Sequence, residues 1–82
     1  LAEDQRARIA EIERRIVRQF ALVIGMVNPG LALNKARLMP VTMSLFGMMN
    51  WVYMWFREDG PISRADYARL ATDLFLKGVT VA

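Results

Sequence analysis

The sequence predicts an all-α fold of three helices, at about residues 2–27, 38–57 and 64–77. Three observations carry this. Ile9, Ile12, Ile16, Phe20, Val23 and Val27 recur every three or four residues, one stripe of a 3.6-residue period. Leu38–Phe56 runs nineteen residues without a charge, between Arg37 and Arg57. Tyr67, Leu70, Ala71, Leu74 and Phe75 form the apolar face of a third, capped segment.

The first helix is charged in its opening turns, with Arg6, Arg8, Arg14, Arg15 and Arg18 among Glu3, Asp4, Glu11 and Glu13. Such interspersed charges read as a solvated face, with a phosphate-binding face as the rival use. Ala10, Val17 and Ile24 lie beside the isoleucine stripe and widen it. The helix is expected to end at Val27-Asn28-Pro29-Gly30, where proline restricts the residue before it. Asn34 can cap a helix starting at Lys35, but Pro40 would then be its sixth residue. A start near Met39 avoids the clash of that ring with a carbonyl.

The second helix presents several uses at once. Its length reaches the lower edge of a membrane span. Pro40, Thr42, Ser44, Gly47 and Asn50 dilute it, and Trp51, Tyr53 and Trp55 crowd one end only. A helix apolar nearly all round fits burial on both sides, which 82 residues cannot supply alone. Ser44 and Gly47 open a small patch for a second backbone. Asn50 either fixes the register of such a contact or bonds locally. Trp51 and Trp55, one turn apart, suit an interface core better than base stacking. The six methionines serve either an adaptable cavity or ordinary core filling.

Glu58-Asp59-Gly60-Pro61 forms the next turn, and Arg57 is expected to help close it through nearby carbonyls, Asp59 or Asp66. Ser63 caps the third helix with Asp66 at the third position, and Ile62 and Tyr67 make a hydrophobic staple. Gly78 is expected to stop it after Lys77.

Composition excludes much chemistry. Cysteine and histidine are both absent, so disulfides, thiolate metal sites and His-based triads are excluded. The net charge is +3, with charges of both signs interspersed. No acid lies within the apolar helix, where burial would raise its pKa, and the glycines form no phosphate loop. No enzyme activity, metal or cofactor is expected.

One stretch carries a more specific pattern. Gly47 with Asn50-Trp51, Phe56-Arg57, Gly60-Pro61-Ile62-Ser63 and Asp73-Leu74-Phe75-Leu76-Lys77-Gly78 fall in the order and spacing of TetR-family transcriptional regulators. The C-terminal region of this chain resembles the end of their regulatory domain, and Ala2–Val27 suits the preceding helix. The resemblance implies a cytoplasmic homodimer whose last two helices form a four-helix bundle with a second subunit. It implies a repressor that reads operator DNA through a helix-turn-helix domain for which this chain has no segment. Residues 1–82 would then be the C-terminal part of a regulatory and dimerisation domain. The alternative is a membrane-associated or stand-alone helical association module. The interface candidates are Ser44, Gly47, Met48, Asn50, Trp51, Trp55, Leu70 and Leu74. The pocket candidates, for a hydrophobic or acyl-CoA-type effector, are Phe20, Met43, Phe46 and Met49.

Overall fold

The computed structural model describes residues 2–82. It is all-α, but with four helices rather than the expected three: α1 (Glu3–Val27), α2 (Pro29–Ala32), α3 (Lys35–Trp55) and α4 (Arg64–Val81). The additional helix, α2, occupies the segment read as a turn and connection. Asn28 creates it by accepting hydrogen bonds from the Gly30 and Leu31 amides, at 3.1 and 3.4 Å. Pro29 takes the first helical position, where its missing N–H costs nothing. Leu31 is thereby buried, while Gly25 of α1 gives α2 close access. A Cβ there would stand 3.1 Å from the Ala32 Cβ.

Three boundaries also differ from expectation. α3 starts at Lys35 rather than about 38, with Pro40 inside it. The carbonyl deprived of a partner by Pro40 belongs to Ala36, an exposed residue, so water can satisfy it. At its other end α3 closes at Trp55 rather than 57. Phe56 turns extended, at φ −71° and ψ 135°, while its amide still bonds the Val52 carbonyl. Gly78 does not stop α4, which continues to Val81 instead of ending at 77. Val79 explains this, because it is buried in the core and continuation of the helix delivers it there. Glycine inside a helix costs only about 1 kcal/mol against alanine, less than burying a valine yields.

The expected cap and turn at the start of α4 are present. The Ser63 hydroxyl accepts from the Asp66 amide at 3.1 Å. The Gly60 amide closes the turn on the Arg57 carbonyl at 3.0 Å, and the Arg57 guanidinium lies 3.7 Å from Asp59. Arg64 also pairs with Glu58 across the turn.

The core sits at one end of the molecule. Ile24 of α1, Leu31 of α2 and Val79 of α4 meet there, with Leu38, Val41, Leu45 and Phe75 packed against them. Asn28 ties this corner together, since its amide nitrogen donates to the Val79 carbonyl at 2.8 Å. Thr42 is wholly buried, and its hydroxyl bonds back to the Leu38 carbonyl at 2.7 Å.

Elsewhere the chain is thin. Its extents are 42 × 41 × 15 Å, so the helices splay in one layer little thicker than a helix with its side chains. The radius of gyration is 14.9 Å, against about 12 Å for a compact domain of this length. Accessible surface is 6625 Å², where a compact 9.4 kDa monomer would show about 5,000 Å². Even the isoleucine stripe of α1 is only partly covered. Packing at its edge, on α3 and on the α2–α4 corner, buries Val17 and Ile24 and leaves Ile9, Ile12 and Val23 exposed.

Candidate functional site: two clefts and an unpartnered apolar face

Because α3 is apolar around most of its circumference, one layer of helices cannot cover it. On one side Ser44, Gly47, Met48, Trp51 and Trp55 follow each other at helical spacing, and all are exposed. Leu70, Leu74 and Val81 repeat the pattern on α4, with Leu74 at 64% exposure. Val41, Ser44 and Met48 share a shallow cleft of about 250 Å³ with Leu74 and Gly78, so the two stripes form one continuous face. A Cβ added to Gly47 would meet nothing within 4 Å, which leaves flat, open backbone in its middle.

The interface candidates do not all share this face equally. Asn50 is exposed but stands about 100° round the helix from Trp51, at the margin of the stripe. Trp55 is half exposed and also belongs to the α3–α4 corner. It meets Tyr67 edge-on at 5.1 Å, and Phe56 completes the cluster at 5.6 Å from Tyr67. Such edge-to-face pairs add about 0.5–1.5 kcal/mol beyond their buried area.

The pocket candidates fall into two places. Met43 and Phe46 line a cleft of about 630 Å³ between α1 and α3, together with Ile9, Val17 and Met39. Phe20 stands beside it, its ring 6.2 Å from that of Phe46. Exposed Arg6, Glu13, Arg14 and Arg18 supply the charged part of the wall. Met49 is not part of this cleft. It lines a separate groove of about 440 Å³ between α3 and α4, with Val52, Ala68, Ala71 and Phe75.

Sequence reasoning missed Asn28, which caps α2 and holds the end of α4. The signal was present as Asn-Pro, a capping residue followed by a first-turn proline. Its third bond reaches across 51 positions, and no local pattern reports that.

No helix among the described residues is long and apolar enough to cross a membrane. No cluster of three or more acidic, His or Cys side chains among them could hold a metal ion. Apolar clefts between helices, with a broad apolar face beside them, are surfaces of the kind that take small molecules or another chain. Residues 1–79 match the family described as "Tetracyclin repressor-like, C-terminal domain", and the chain belongs to that family. It is a regulatory domain of the dimerisation and effector type, neither catalytic nor itself DNA-binding. No curated protein and no solved structure matches the chain.

Proposed function

We propose that residues 1–82 act as the C-terminal part of the regulatory and dimerisation domain of a cytoplasmic TetR-type repressor. A second copy of the chain covers the face built from Ser44, Gly47, Met48, Trp51, Leu70 and Leu74. The observation that carries this reading is that apolar face, left open in a molecule with about 1,600 Å² more surface than a compact monomer. A stable interface needs about 800 Å² per partner, so the excess is ample. Operator DNA is read by a separate helix-turn-helix domain, and this domain sets whether the reading heads are correctly spaced.

The effector lies in the α1–α3 cleft. Its volume falls in the range of small-molecule sites. Apolar walls at Val17, Met39, Met43 and Phe46 suit an acyl chain, and Arg6, Arg14 and Arg18 suit an anionic head group. Sedimentation equilibrium tests the first part: twice the 9.4 kDa chain mass is expected, and a helical monomer at tens of micromolar concentration refutes it. Calorimetric titration with dodecanoyl-CoA tests the second. Binding that survives R14E/R18E undiminished places the head group elsewhere.

A further inference from the structure

The groove between α3 and α4 has a structural cause. Where α4 faces α3, Tyr67 stands at one end and Phe75 at the other, and the lining positions between them carry Ala68, Ala71 and Thr72. Tyr67 is fixed by Trp55 and Phe56, and Phe75 packs on the Ile24–Leu31–Val79 core. Bulky side chains thus prop both ends of the pair, and small side chains occupy the middle. The two backbones barely approach each other. A slot of about 440 Å³ remains, which leucines in place of alanines would narrow. Unfilled space between helices costs stability, and preformed apolar clefts of this size bind small molecules.

The walls have a definite chemistry. Met48 and Met49 line the α3 side, and thioethers make favourable contacts with aromatic rings. Arg64 borders both this slot and an adjoining cavity of about 380 Å³ toward Phe56. Its guanidinium carbon lies 6.0 Å from the Phe56 ring centre, and its partner Glu58 is exposed. An exposed pair of this kind is weak, so a ligand carboxylate can compete for the arginine.

We propose that the α3–α4 groove binds a planar aromatic monocarboxylate, its ring between Met49 and the two alanines and its carboxylate on Arg64. The site is separate from the α1–α3 cleft. On α4 it uses Ala68 and Thr72, on the other side of the helix from the Leu70–Leu74 stripe, while on α3 it shares Met48 with the association face.

The test is a titration of the protein with 2-naphthoate, following the methyl resonances of methionine and alanine by NMR. The methyls of Met49, Ala68 and Ala71 are expected to shift and saturate. A71L strongly weakens binding by occupying the space beside Met49 that the ring would take, and A68M obstructs it from a more exposed position. R64Q weakens 2-naphthoate binding by about three- to fivefold and leaves neutral 2-methylnaphthalene unchanged. Shifts confined to Met39 and Met43, or no shifts at all, overturn the site. Equal weakening of both ligands by R64Q overturns the assignment of the carboxylate.

Discussion

Replacing Gly47 by arginine separates the protomer's own stability from its association. Around Gly47 an added Cβ meets nothing within 4 Å, so the new side chain displaces no atom of the protomer. In the helix interior, arginine is better than glycine by about 0.5–0.8 kcal/mol. The isolated chain should therefore be slightly more stable as G47R. In the proposed dimer the same charge sits between Ser44, Met48 and Trp51 at the centre of a face covered by a second copy. An uncompensated buried charge costs about 3–5 kcal/mol. At 1.4 kcal/mol per tenfold, association should weaken by more than about a hundredfold. Sedimentation equilibrium gives the association constant, and circular dichroism on the same samples gives the helix content. G47A is the control: it keeps the helical gain and adds only a methyl group. An unchanged association constant in G47R, with the helices intact, would show that this face is not the interface. Loss of helix content would refute the claim that the position is free within the protomer.

Other substitutions probe the corners of the fold. N28D keeps the oxygen that caps α2 but removes the donor to the Val79 carbonyl, so about 1 kcal/mol should be lost. Hydrogen exchange should quicken at the end of α4 while the Gly30 and Leu31 amides stay protected. P40A returns an N–H to α3 opposite the Ala36 carbonyl, and should raise stability in urea unfolding by about 1–3 kcal/mol. S63A removes the cap on the Asp66 amide, with an expected cost of about 1 kcal/mol in the same assay. T42V should change stability by under about 1 kcal/mol despite complete burial, because the Leu38 carbonyl keeps its helical partner when the hydroxyl goes.

Local chemistry made parts of this architecture legible. Ser63 and Asp66 announced the start of α4, and the charge-free run of α3 announced a helix with more apolar surface than the chain could cover. Gly78 misled because its stop signal is local, whereas the burial of Val79 is a tertiary gain. The extent of α1 was readable, but not which edge of its broad apolar arc would meet α3. Val17 and Ile24, beside the expected stripe, became its buried residues. Among the pocket candidates, side-chain type could group Phe20, Met43, Phe46 and Met49. It could not show that a helix rotation puts Met49 in a different cleft from the others.

The 15 Å thickness has a mechanical consequence. A plate one helix deep has no interior layer to absorb a disturbance. A ligand that wedges α1 away from α3 pushes on the same rod whose far side carries Gly47 and Trp51. Turning that rod by a few degrees would tilt anything seated on it, with no chain of intermediate contacts needed.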